Sequence, residues 1–144
     1  MPYVALVAVG RLPYLRVFGS DYDSPDGTGI RDYIHDVEVA VGHVRAMEKL
    51  ETGHGLVTLN LGTGRGESVL EIVAAFERVT GRQIPLQFVE PRPGDVAVCF
   101  ADPTLAATEL GWKAVRSLDE MMSDSWRWQS QNPSGYDGLV DGTS

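Results

Sequence analysis

Two arginines of this 144-residue chain stand where side chains could do chemistry: Arg31 in Arg31-Asp32-Tyr33, and Arg92 in Arg92-Pro93-Gly94-Asp95. Each lies in or beside a loop shaped by glycine or proline, next to an acid. A guanidinium offers planar, bidentate donors that match phosphate oxygens, and it stays charged at all working pH values. Asp95 could accept hydrogen bonds from the vicinal hydroxyls of a sugar. The same spacings also suit surface ion pairs, Arg31–Asp32 or Arg92–Asp95, which are worth little. Spacing alone leaves both open: an ion pair, or a site for a phosphorylated, hydroxyl-rich ligand.

Other chemistries find less support. Residues 62–66 read Gly-Thr-Gly-Arg-Gly between an expected strand and helix, but a dinucleotide fingerprint needs glycine at its sixth position, and Glu67 is there. A tight strand-to-helix turn is the expected role. Asp21, Asp23 and Asp26 invite a calcium reading, yet Pro25 and Asp26 occupy the fifth and sixth loop positions and no glutamate closes the loop. His35, His43 and His54 lack paired metal-ligand spacing, and Cys99 is the only cysteine, so no metal site is expected. His35 reads as a structural residue at a helix start. No G-x-S-x-G elbow appears, which removes support for a Ser-His-Asp hydrolase.

Twelve Lys and Arg against twenty Asp and Glu give a formal net charge of -8, a surface that repels nucleic acid. A single cysteine forms no internal disulfide, which suits a reducing cytoplasm. Residues 1–10 are apolar, but they carry no basic leader and fall far short of the roughly 20 residues that span a bilayer. A soluble, cytoplasmic protein with no membrane partner is expected.

The elements that must position the arginines follow from periodicity and caps. Residues 1–10 suggest a helix with Tyr3, Val4, Val7 and Ala8 on one face, and Leu15–Phe18 a strand. Residues 19–29, rich in Asp, Gly, Ser and Pro, are a surface loop. A helical period runs through Val37, Ala40, Val44 and Met47 and stops near Gly53 and Gly55. Residues 57–61 suggest a strand. Ser68 and Glu71 form a capping box before Val69, Ile72, Val73 and Phe76, with Gly81 as the stop. Residues 86–90 suggest a strand, residues 91–95 an irregular loop and residues 99–101 a short strand. Asp102 reads as an N-cap with Pro103 in the first turn, and Gly111 ends that helix. Ser117 and Glu120 repeat the capping box before Leu118, Met121, Met122 and Trp126. Residues from 132 onward suggest an irregular tail. Strands alternating with helices indicate an α/β chain.

The segments GTGIRDYIHDVEVAVGHVRAMEKL, NLGTGRGESVLEIVAAFERVTGRQIP, PRPGDVAVCFADPTLAATELGW and SLDEMMSDSWRWQSQNPSGY together resemble the carboxyl-terminal portion of UDP-glucose 4-epimerases, extended short-chain dehydrogenases. The resemblance runs from Met1 to Tyr136. It implies an enzyme that interconverts UDP-glucose and UDP-galactose in galactose metabolism, with NAD taking and returning hydride and a tyrosine acting as base. Carried over by motif, Arg31 and Arg92 bind the diphosphate and Asp95 the ribose hydroxyls. Arg16, Val17 and Phe18 lie on the uracil-contacting strand, acting partly through backbone groups, and Tyr33 lines the same region. Cys99 stands beside the sugar, where a small residue leaves volume for an N-acetyl group and makes UDP-N-acetylhexosamines plausible substrates; the bland alternative is a small buried packing residue. The intact enzyme is expected to be a homodimer.

The sequence departs from the family in two ways. Where family members commonly read V-x-D-L-A after R-D-Y-I-H, residues 36–40 read Asp-Val-Glu-Val-Ala. There is also no G-x-x-G-x-x-G loop, and lysine never stands four residues after Tyr3, Tyr14, Tyr22, Tyr33 or Tyr136. The expectation is therefore an α/β fragment: residues 1–136 as the UDP-sugar-binding part, with residues 37–61 belonging to a Rossmann domain whose NAD-binding portion lies outside this sequence, and residues 137–144 as a tail. No catalytic residue is expected in the chain, and it is expected to be inactive alone. Two alternatives are a stand-alone nucleotide-sugar-binding module and part of a related NAD-dependent nucleotide-sugar dehydratase.

Overall fold

The computed structural model describes residues 2–53 and 55–135. Met1, His54, Tyr136 and the tail at 137–144 lie outside the described residues. The order is α1 (Pro2–Ala8), β1 (Leu15–Phe18), β2 (Ile30–Arg31), α2 (Asp36–Leu50), β3 (Glu67–Ser68), α3 (Val69–Thr80), β4 (Leu86–Val89), β5 (Val98–Cys99), α4 (Thr104–Leu110) and α5 (Leu118–Gln131).

Two small sheets carry the site. Strands β1 and β4 pair in parallel, with Leu15 opposite Leu86 and Phe18 opposite Val89. Strand β2 lies between β3 and β5, antiparallel to the first and parallel to the second, so Arg31 is in register with both Glu67 and Cys99. The core sits where α1, α3 and α5 meet β1. Val4, Ala5, Val7, Leu15, Ile72, Val73, Ala75, Phe76, Ile84, Met121 and Met122 form one buried cluster.

Both expected capping boxes are present. Ser68 Oγ accepts from the Glu71 amide at 3.1 Å, and Glu71 Oε2 accepts from the Ser68 amide at 2.7 Å. Ser117 and Glu120 repeat the exchange at the start of α5. Gly81 closes α3 in the left-handed conformation. Edge-to-face packing of Phe76 on Trp126, with centroids 6.0 Å apart, locks α3 against α5.

Several expectations need correction. In α1 the buried side is Val4, Ala5 and Val7, and Tyr3 is 67% exposed. Residues 57–61 form no strand: no described segment pairs with them in a ladder, and a strand needs a partner for its backbone hydrogen bonds. The short strand near Cys99 starts at Val98 and stops before Phe100. The N-cap of α4 is Pro103, while Asp102 Oδ1 accepts from the Thr104 amide at 2.9 Å.

Helix α2 presents its apolar side to solvent. At 100° per residue Val37, Ala40, Val41, Val44 and Met47 share one face, and all five are exposed. Glu38 and Gly42, on the other side, are its buried residues. The Trp112 indole donates to the Glu38 carbonyl at 3.0 Å. The Glu38 carboxylate accepts from the amides of Val115 and Arg116 through Oε1, and its Oε2 is buried without a partner. The helix therefore attaches to its own chain by its polar side and turns its apolar side outward.

Candidate diphosphate site

Arg31, Asp95, Arg92 and Phe18 converge from three segments. Strand β1 ends at Phe18, and the parallel strand β4 ends opposite it at Val89. In parallel α/β sheets, ligands characteristically lie beyond the carboxyl ends of the strands. The loop leaving β4 places the Arg92 guanidinium over the Phe18 ring, 4.6 Å from its centroid. A turn closed by the Asp95 amide on the Arg92 carbonyl at 3.1 Å folds the Asp95 side chain back. Asp95 Oδ2 accepts from Arg92 Nε at 2.9 Å, while Oδ1 lies 3.9 Å from Arg31 Nη2. Arg31 also donates through Nη1 to its neighbour's carbonyl, Ile30 O, at 2.7 Å. The two arginines thus flank one carboxylate. Cys99, adjacent to Arg31 across the β2–β5 register, is exposed and not a buried packing residue.

The other expected residues are placed differently. Val17 is 1% exposed and belongs to the interior, so only its backbone could meet a ligand. Arg16 is exposed, on the same side of β1 as Phe18. Tyr33 lines a different cleft, of about 560 Å³, together with Pro2, His35, Asp124 and Trp128. Burial pushes its hydroxyl pKa upward, opposed by the positive charge of Arg31.

Asp32 does not pair with Arg31. Its carboxylate points into the glycine-rich turn and accepts from the Thr63 amide at 3.0 and 3.1 Å, the Thr63 hydroxyl at 2.6 Å, and the Gly64 and Ala101 amides at 3.2 Å each. Consecutive backbone amides in such a turn form a nest for an anion. Here the anion is the chain's own. Burial pushes the Asp32 pKa up, but the hydrogen bonds from Thr63, Ala101 and Gly64 outweigh it and hold it below the ordinary carboxylate range. A Cβ on Gly62 would stand 2.6 Å from both Asp32 Oδ2 and the Ala101 methyl, so only glycine fits there. These residues do not fit a dinucleotide phosphate, because the amides that would receive it already hold Asp32.

His35 caps α2, as its expected structural role requires. Its Nδ1 accepts from the Val37 amide at 3.1 Å, which leaves the proton of the neutral ring on Nε2, 3.1 Å from Asp124 Oδ2. In the acidic loop, Asp26 accepts from the Thr28 amide at 2.9 Å and from its hydroxyl at 2.7 Å, and from the Ser68 hydroxyl. Among the described residues no cluster of His, Cys, Asp or Glu could hold a metal ion. No described helix is long and apolar enough to cross a membrane.

Sequence reasoning missed Asp32 as the occupant of the turn and Glu38 as the tether of α2. The first had a readable signal, since a nest of amides without a ligand fingerprint calls for an internal carboxylate.

A family model described as GDP-mannose 4,6 dehydratase matches residues 1–125. The chain is 60% identical over 136 residues to a UDP-glucose 4-epimerase of Bacillus subtilis (strain 168), covering 94% of this chain and 40% of that protein. Among solved structures, a UDP-glucose 4-epimerase from Stenotrophomonas maltophila with bound NAD and formylated UDP-arabinopyranose superposes with a TM-score of 0.89 at 52% identity. The match covers 92% of this chain and 39% of that one. The enzyme from Bifidobacterium longum in complex with NAD+ and UDP gives 0.89 at 51% identity, covering 93% and 40%. The chain therefore spans about 40% of the length of the curated relatives it matches, and its fold corresponds to their carboxyl-terminal portion.

Proposed function

This chain belongs to the GDP-mannose 4,6 dehydratase family, and from that premise we propose that it is the UDP-sugar-binding part of a UDP-glucose 4-epimerase. The observation that carries the reading is the convergence of Arg31, Arg92, Asp95 and Phe18 from distant segments onto one half-buried spot at the ends of β1 and β4. Arg31 and Arg92 bind the diphosphate, Asp95 takes the ribose hydroxyls, and the end of β1 at Phe18 meets the uracil. The grip on the nucleotide is remote binding energy that leaves the sugar free to turn.

NAD, which accepts and returns hydride, and the catalytic tyrosine and lysine belong to the remainder of the enzyme, so this chain alone does not turn over. Residues 37–61 are the surface on which that remainder docks. Val37, Val41, Val44 and Met47 on α2 are exposed, and residues 57–61 belong to no described strand. Such a continuous apolar face marks an interface. Cys99, short and exposed beside Arg31, leaves room for an N-acetyl group on the sugar. An intact enzyme unable to turn over UDP-N-acetylhexosamines would remove that part of the reading.

Titration of the chain with UDP tests the site. Arg31→Ala and Arg92→Ala are each expected to weaken binding about tenfold or more, the worth of a charge-assisted hydrogen bond to phosphate. Unchanged affinity in both variants would refute the assignment.

A further inference from the structure

We infer that Asp95 acts as a built-in competitor for anions at the two arginines, and so selects nucleoside diphosphates against bare phosphate and pyrophosphate. The inference rests on the diphosphate site proposed above and assigns its selectivity to one carboxylate. Each Asp95 oxygen faces a different guanidinium, Oδ2 at 2.9 Å from Arg92 Nε and Oδ1 at 3.9 Å from Arg31 Nη2. The guanidinium groups have other anchors as well. Arg92 lies over Phe18 at 4.6 Å, and Arg31 donates to the Ile30 carbonyl at 2.7 Å. Removing Asp95 would therefore leave both cations in place.

An anion approaching either arginine meets a carboxylate already on it. The local charge is two positive and one negative, so an incoming phosphate gains the attraction of the cations and suffers the repulsion of Asp95. Inorganic pyrophosphate has nothing to offer that carboxylate. A nucleoside diphosphate does: the vicinal hydroxyls of its ribose can donate to the Asp95 oxygens and turn a repulsive group into a hydrogen-bond acceptor. One carboxylate thus penalises the wrong ligand and rewards the right one, the two halves of specificity. In an acidic protein with two clustered arginines, this is a direct way to keep abundant small phosphates out.

Asp95→Asn preserves the shape and removes the charge. Arginine Nε NMR shifts during titration of the full chain report weak binding of inorganic pyrophosphate and of UDP. Pyrophosphate is expected to bind Asp95→Asn about fivefold more tightly than wild type, the factor for one screened charge at contact distance. Selectivity for UDP over pyrophosphate should fall by more than that factor, because charged hydrogen bonds to the ribose are lost too. Asp95→Ala should shift pyrophosphate in the same direction, which separates charge from the new amide. Pyrophosphate affinity unchanged or lower in both variants would overturn the inference, since a merely structural Asp95 gives no gain. If wild type binds UDP no better than pyrophosphate, the ribose and uracil part of the proposed function fails. The pyrophosphate gain would still decide the role of Asp95.

Discussion

Replacing Asp32 by asparagine should destabilise the chain by about 3 kcal/mol. The wild-type carboxylate receives the Thr63 amide and hydroxyl largely on Oδ1 and the Gly64 and Ala101 amides on Oδ2, each of the latter at 3.2 Å. An asparagine oriented to keep the Oδ1 bonds presents its NH2 group to Gly64 and Ala101, donor against donor. Two charge-assisted hydrogen bonds are lost, each worth about 1.5 kcal/mol at the low end of the usual range. For a chain of this size the loss corresponds to a fall in Tm of about 10 °C. Thermal melts at neutral pH measure it, with Asp36→Asn at the exposed start of α2 as a comparison expected to cost about 1 kcal/mol or less.

The pH dependence supplies the sign. Hydrogen bonding holds the Asp32 pKa below its unfolded value, so its contribution is complete above the unfolded pKa and disappears as pH falls through the folded one. The gap between wild type and Asp32→Asn should therefore be constant near neutrality and close from about pH 4 downward. A variant that melts within about 2 °C of wild type would refute the assigned energy. A gap that persists undiminished in acid would refute the ionised carboxylate as its source.

Two further outcomes follow from α2. The chain should bind a hydrophobic dye and self-associate, and Val41→Lys with Val44→Lys should suppress both while changing stability by about 0.5 kcal/mol or less, as surface substitutions do. A monodisperse wild-type monomer that ignores the dye would contradict the exposed face. Glu38→Gln should be close to neutral in a melt, because its carbonyl can still accept from Val115 and Arg116 and its amide replaces an oxygen that has no partner. Glu38→Ala should instead cost about 2–4 kcal/mol by orphaning two amides. Equal destabilisation by both would show that the charge itself is required.

The helices were legible because their signals are local. Both capping boxes lie within four residues, and the glycines that stop α3 and α4 immediately follow their last turns. Strand β1 was legible for the same reason: a short branched run between turn signals. The segment at 57–61 carries an equally good pattern but forms no strand, since a ladder is a property of two segments and its pattern describes one. The outward stripe of α2 shows the same limit. Periodicity identified the apolar face and left open what covers it. In the site, the arginines and Asp95 were readable as types, but their convergence depends on segments 61 or more residues apart, from Arg31 to Arg92. Asp32 was misread because its partners, the Thr63 amide and hydroxyl and the Gly64 and Ala101 amides, are 31 to 69 residues away, while the adjacent Arg31 offered a local ion pair.

The buried cluster joining Val4 to Met122 has a kinetic consequence. Its three helices come from the beginning, middle and end of the described chain, so the core cannot close until a loop of more than a hundred residues has been drawn together. Loop-closure entropy grows slowly with length, but contacts of such long range delay the transition state. On the ribosome, α1 and α3 remain without their common partner until α5 has emerged, and until then the apolar sides of both stay open to water. Folding of the described core is therefore timed by α5 and not by the rapid local formation of α1 and α3.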